Sequence, residues 1–238
     1  MSYAGETYPS TEFTFAANAA ANERAGFITK TYLHLAGAIA AFIALEAVLL
    51  NLPGIENLVG AMFASRFGWF IVLGAFMVVS MIANSWAQSA VSPGKQYLGL
   101  GLYVVAEAII FVPILYIALK MDPSIVTTAA VATLCLFAVL TVVVFVTRFD
   151  FSFLRVVLIF GGFAALGLIA CALIFNFALG PIFTYAMIAF ACAYILYDTS
   201  NVLHHYRIGQ HVAAALALFA AVALLFWYIL RLLMASRR

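Results

Sequence analysis

Apolar residues along this chain fall into seven long runs separated by short polar breaks. The runs cover residues 26–50, 67–88, 97–119, 124–147, 152–176, 181–203 and 211–234. About 20 apolar residues in a helix cross the hydrocarbon core of a bilayer, so each run predicts a spanning helix. The breaks carry turn-forming residues: Leu52-Pro53-Gly54, Ser92-Pro93-Gly94, Met121-Asp122-Pro123, Arg148-Phe149-Asp150, Gly180-Pro181 and His204-His205-Tyr206-Arg207. Connections this short make neighbouring helices antiparallel and leave no loop able to fold as a separate domain. The pattern predicts an all-α membrane protein. It is a seven-transmembrane helical bundle over 26–238, behind a polar N-terminal tail of residues 1–25. In that tail, Met1 to about Phe15 reads as disordered and Ala16 to Ala25 as a short helix on the membrane surface.

Composition agrees with the pattern. Of 238 residues, 67% are hydrophobic and 8% charged, whereas a soluble domain is nearer half apolar and a quarter charged. The net charge of +2 is small and scattered, which argues against nucleic acid as a partner. The first 25 residues hold no apolar run and predict no cleavable secretory signal. Cys135, Cys171 and Cys192 lie within apolar runs without metal-site spacing, and read as small buried hydrophobes. Lys and Arg in short loops set orientation. With the N-terminus inside, the inner flanks carry Arg24, Lys30, Lys95, Arg148, Arg155 and Arg207, and the outer loops only Arg66 and Lys120. A cytoplasmic N-terminus in a bacterial inner membrane is the expectation. Against it, seven crossings place Arg231, Arg237 and Arg238 outside; a last segment that enters and turns back is the alternative.

Ionisable residues inside the runs are the candidate chemistry, because an acid at membrane depth is costly and marks function by default. Four are singled out as candidates: His34, Glu46, Glu107 and Asp198. No Lys or Arg lies deep in a run, so a carboxylate there must hold a proton or face water. At 1.5 Å per residue, Asp198 lies roughly 7 to 8 Å from the inner end of its run, Asn84 about 6 Å and His34 about 12 Å. The three share an inner layer and form a candidate water-accessible cavity. The alternative is that Asp198 reaches the headgroups and His34 satisfies a backbone carbonyl. Glu107 falls near mid-bilayer, where it lines a pathway or stays protonated, and Glu46 reads as a rim residue. The loop from His204 to His211 holds three histidines, which suit a pH sensor or a solvated loop better than a metal site.

Other membrane chemistries lack their residues. No spanning lysine is placed for a Schiff base, and no Gly-x-Ser-x-Gly turn or nucleotide-binding loop occurs. A second spanning Asp for aspartyl chemistry is also missing. The chain reads as a non-enzyme without a cofactor.

Tyr194-Ile195-Leu196-Tyr197-Asp198-Thr199-Ser200 resembles the penultimate-helix signature of the Bax inhibitor-1 family, the transmembrane Bax inhibitor motif proteins. Met121-Asp122-Pro123-Ser124-Ile125-Val126-Thr127-Thr128-Ala129 is similar to the turn between that family's third and fourth helices. Arg24-Ala25-Gly26-Phe27 with Thr31-Tyr32-Leu33 resembles the start of its first helix. The resemblance implies a pH-sensitive calcium leak, in which the acid matching Asp198 pairs with a second aspartate in the last helix as proton sensor and gate. Ala221 stands where that second aspartate belongs and Leu224 where the family has Asn, and 211–238 contains no acid. Asp198 alone carries over, as the gate and as the one candidate metal contact.

Three readings follow. The first is a calcium or other divalent-cation leak channel or transporter titrated at Asp198. The second is a non-conducting regulator that binds a membrane protease or another membrane partner. The third is a proton-coupled transporter using Asp198, Glu107 and His34 as relays.

Overall fold

The computed structural model describes residues 14–63, 68–89 and 92–237. The tail before Thr14, together with Arg66 and Arg238 from the charge balance, lies outside the described residues. Eight α-helices follow a short 3-10 turn at Ala16–Asn18: α1 Ala21–Leu49, α2 Ile55–Phe63, α3 Gly68–Ala87, α4 Pro93–Met121, α5 Pro123–Thr147, α6 Leu154–Phe175, α7 Pro181–His204 and α8 His211–Ser236. The apolar runs and their punctuation explain most boundaries. Pro93, Pro123 and Pro181 occupy first helical positions, where a missing N–H costs nothing. Ser92 and Asp122 cap the helices that follow them by accepting from Lys95 N and Ser124 N.

Two expectations change. The surface helix over Ala16–Ala25 does not form: Ala21–Ala25 are the first residues of α1, and Ala16 is completely buried. Arg24 draws this segment in, its Nε donating to Ala16 O at 2.8 Å. The break after the first run holds a further short helix, α2, which rests on the end of α4, where the Tyr116 hydroxyl donates to Glu56 Oε2 at 3.4 Å.

Among the described residues six helices, α1 and α4 to α8, are long and apolar enough to cross a membrane. The corresponding stretch of α3, Ile71–Ala87, is shorter. The whole of α3 still measures about 30 Å and connects the two faces of the bundle. Trp69 at its start stacks on Trp227 late in α8, with ring centroids 6.1 Å apart, and Ala83 and Ala87 at its end meet Gly99 early in α4.

Contacts between loops define the two faces. On the proximal face, Ala16 N donates to Tyr206 O at 2.8 Å and Ile208 N to Thr14 O at 3.1 Å, so the N-terminal segment straps the α7–α8 connection. His205 Nε2 on that face donates to both Asp150 oxygens, at 3.1 and 3.2 Å. On the distal face, Arg237 pairs with Asp122 and Arg231 Nη2 donates to Leu179 O at 3.0 Å. Helix α8 begins at His211 beside His34 and ends at that Arg237–Asp122 pair. It therefore traverses the bundle and does not turn back.

Helix α8 is the axis of the packing, touching α1, α3, α4, α5 and α7. Lipid gives no hydrophobic drive for helices to associate, so close approach through small residues replaces it. Ala213, Ala214, Ala215, Ala221 and Ala223 are all buried on α8. By contrast α6 packs mainly on α7 and shows Phe160, Phe163 and Phe175 to lipid. The cysteines follow the same logic. Cys135 and Cys171 are exposed and Cys192 half-buried, all three free, which corrects the expectation of burial: the solvent at that depth is hydrocarbon, so an apolar residue has no reason to turn inward.

Gly99 is the tightest of these contacts. A Cβ there would stand 2.5 Å from Ala83 O and 2.6 Å from Ala87 N, backbone atoms that can move only with α3. Gly101 has nothing within 4 Å. Gly99→Ala should cost about 1–3 kcal/mol and lower the melting temperature in detergent, while Gly101→Ala should leave it unchanged. Equal melting of the two variants would refute this packing.

Candidate functional site

A cavity of about 820 Å³ runs along α8 between α3, α4, α6 and α7. Its lining reaches from Arg231 at the distal end to Asp198 near the proximal end. Asp198 enters from α7, Glu107 and Tyr103 from α4, Asn84 from α3 and Tyr194 from α7. The helical repeat explains the choice. Met187, Ala191, Tyr194 and Asp198 follow one another at intervals of three or four, so one face of α7 delivers the acid inward. Tyr103 and Glu107 stand one turn apart on α4 in the same way.

Both acids are deeply buried: Asp198 is 7% exposed and Glu107 6%. Tyr103 sits within electrostatic reach of both carboxyl groups. Neither acid forms an ion pair among the described residues; the pairs there are His205–Asp150 and Arg237–Asp122. No hydrogen bond joins the two carboxyls directly. The cavity is the element they share. Ala221 lines it too, so the position at which the family resemblance requires an aspartate opens on the same cavity as Asp198 but offers only a methyl group.

Tyr206 lies half-buried on the proximal side, in the connection that the Thr14–Ala16 strap holds. Burial pushes its hydroxyl far above the ordinary tyrosine value, and the nearby charges of Asp198 and Tyr197 add to the rise.

The inner layer read from depth divides in two. Asn84 and Asp198 reach the cavity, whereas His34 does not. His34 packs against His211 with ring centroids 4.9 Å apart, and its Nδ1–H donates to Lys30 O at 2.7 Å. That leaves Nε2 of the neutral ring to accept from the Tyr97 hydroxyl at 3.2 Å. The rim placement of Glu46 is corrected. The residue is buried on α1 and neither carboxylate oxygen has a hydrogen-bond partner. Depth counted along one helix gave its level but not its facing.

The histidine loop is dispersed. His204 Nδ1–H donates to Ser200 O at 3.0 Å, His205 serves Asp150 and His211 meets His34. Among the described residues no three His, Cys, Asp or Glu gather as a metal site. Ser200, missed in the sequence, fixes the α5–α6 connection to α7 by accepting from Phe151 N at 2.9 Å. Nothing in one chain announces such a contact across 49 residues.

Asp150 tests this proximal rim. Slight burial acts against its charged form, but bonds from Ser152 N and His205 outweigh it and hold the carboxyl below its ordinary range. A lowered acid stabilises the fold above the usual carboxylate range, and that contribution is lost as pH falls through the lowered value. Protection of the Ser152 N–H, which donates to Asp150 Oδ1, should therefore drop on acidification. In Asp150→Ala it should be weak at every pH after correction for intrinsic exchange. Hydrogen exchange profiles that coincide would rule the role out.

Two comparisons bear on this geometry. The family model described as Inhibitor of apoptosis-promoting Bax1 matches residues 24–238. The "Bax inhibitor 1" of Schizosaccharomyces pombe (strain 972 / ATCC 24843) is 30% identical over 176 residues, 69% of this chain. The match covers 61% of that relative's length.

Proposed function

The chain belongs to the Bax inhibitor-1 family, and from the two buried acids that share its cavity we propose a pH-sensitive leak channel or transporter for divalent cations, calcium foremost. Asp198 is the titrating gate residue and Glu107 the second carboxyl. One observation carries the reading: α7 and α4 each send an unpaired acid into a single cavity. Hard cations bind oxygen, and here Asp198, Glu107, the Asn84 amide and the Tyr103 and Tyr194 hydroxyls provide it in one space. A proton on either carboxyl removes a ligand charge, so cation occupancy and protonation oppose one another. Glu107 thereby takes over, from α4, what Ala221 on α8 cannot supply.

The proximal face, bearing Arg24, Lys30, Lys95, Arg148, Arg155 and Arg207, is placed in the cytoplasm on the positive-inside rule. A bacterial inner membrane suits the short loops. The strap over Tyr206 then lies on the cytoplasmic side.

Reconstituted protein should admit calcium to proteoliposomes, with flux falling as pH is lowered. Asp198→Asn should cut the flux at least several-fold and flatten its pH profile, with Glu107→Gln weaker in the same direction. An Asp198→Asn protein that keeps both wild-type flux and its pH dependence sinks the gate assignment. The alanine at 221 favours one competing reading, a non-conducting regulator of a membrane-bound partner such as a protease. Absence of flux at every pH, with a membrane protease recovered in pull-downs, would select it.

A further inference from the structure

The function proposed above uses the proximal end of the cavity, where the acids are. The distal end is lined differently, by Trp69, Leu73, Leu166, Ile169, Leu173 and Leu224 among others, with Arg231 at its limit. Arg231 is half-buried and its contacts are neutral. It donates to Leu179 O, and its guanidinium carbon lies 6.0 Å from the centre of the Phe183 ring. No carboxylate pairs with it among the described residues. A guanidinium carries five donors in a planar fork suited to phosphate or carboxylate, and the backbone carbonyl uses one nitrogen. A fixed cation with spare donors thus stands at the end of an apolar space.

Arginines near helix ends commonly snorkel to the headgroups, and an isolated one would need no other account. Here the charge adjoins a cavity. The stretch of α8 from Arg231 to Ala220 is about 16 Å long, close to one leaflet of a hydrocarbon core about 30 Å thick. Access comes from the side: α3 packs on α4 and α6 mainly on α7, so the lining contributed by α3 and α6 faces lipid between them. The volume lies at the upper end of the range for small-ligand pockets.

We propose that the distal half of the cavity binds one acyl chain of an anionic lipid, with its acidic headgroup on Arg231 and the chain lying along Trp69 and Trp227. The occupant excludes water from the distal approach to Asp198 and Glu107. Binding itself does not depend on whether the protein conducts ions.

The chain's three tryptophans make the test direct. Trp69 and Trp227 line this space and Trp86 lies elsewhere. The full chain carrying Trp86→Phe is placed in phosphatidylcholine nanodiscs with small fractions of a chain-brominated lipid, which quenches tryptophan on contact. Brominated phosphatidylglycerol or brominated fatty acid should quench several-fold more than brominated phosphatidylcholine at equal fraction, and should saturate. Whichever anionic arm saturates at lower fraction names the headgroup as phosphodiester or carboxylate. Arg231→Gln should remove the excess and Arg231→Lys should keep most of it. Equal quenching by the three lipids, or an excess that survives Arg231→Gln, overturns the proposal. If Arg231→Gln does not fold, competition in the Trp86→Phe protein decides. Unbrominated phosphatidylglycerol or fatty acid must relieve the quenching better than phosphatidylcholine, and failure to do so overturns the site.

Discussion

Close packing of small residues around α8 is the interaction on which the rest of this structure depends. Inside a bilayer, apolar side chains gain nothing by leaving lipid for one another, so the bundle is held by contact area at short range. Alanines on α8 bring α1, α4, α5 and α7 in close, and Gly99 does the same between α3 and α4. The same smallness leaves space where no helix closes in. Ala217, Ala220 and Ala221 face the gap toward α3 and α6, and the cavity is that gap. Core and cavity are therefore two results of one composition.

The cavity's two ends have opposite chemistry because they are reached from different places. Its proximal end receives acids from the middle of α4 and the last turns of α7, far from any fixed cation. Its distal end receives an arginine from the closing turns of α8, where the loop carbonyl of Leu179 and the ring of Phe183 hold it. A carboxyl group surrounded by hydrocarbon responds steeply to protons and metal ions, since either removes an otherwise costly charge. A guanidinium with spare donors suits anions instead.

Much of the site was legible in the chain. The apolar runs foretold the helices α1 and α3 to α8 to within a few residues, and the cost of an intramembrane acid singled out Asp198 and Glu107 before any contact was known. The illegible parts share a cause. Depth along a helix can be counted, but facing cannot, because seven helices of similar apolar composition leave no polar stripe to orient them. His34 and Asn84 sit at comparable depth, yet one turns to Tyr97 and His211 and the other to the cavity. Glu46 looked like a rim residue and is buried; Cys135 and Cys171 looked buried and face lipid. The α2 helix hid in a break that read as a turn.

By itself the sequence determined that the chain lives in a membrane, where its long helices lie, and which acids are set within them. Those properties follow from local transfer energies and backbone chemistry, which act residue by residue. Only the tertiary structure decided that Glu107 and Asp198 share a lumen, that Ala221 lines it without a charge and that Arg231 stands at the other end. It also decided that the N-terminal segment straps the α7–α8 connection at Tyr206. Those are relations between helices, set by which small surfaces pack closest, and a one-dimensional pattern of apolar residues carries no record of them.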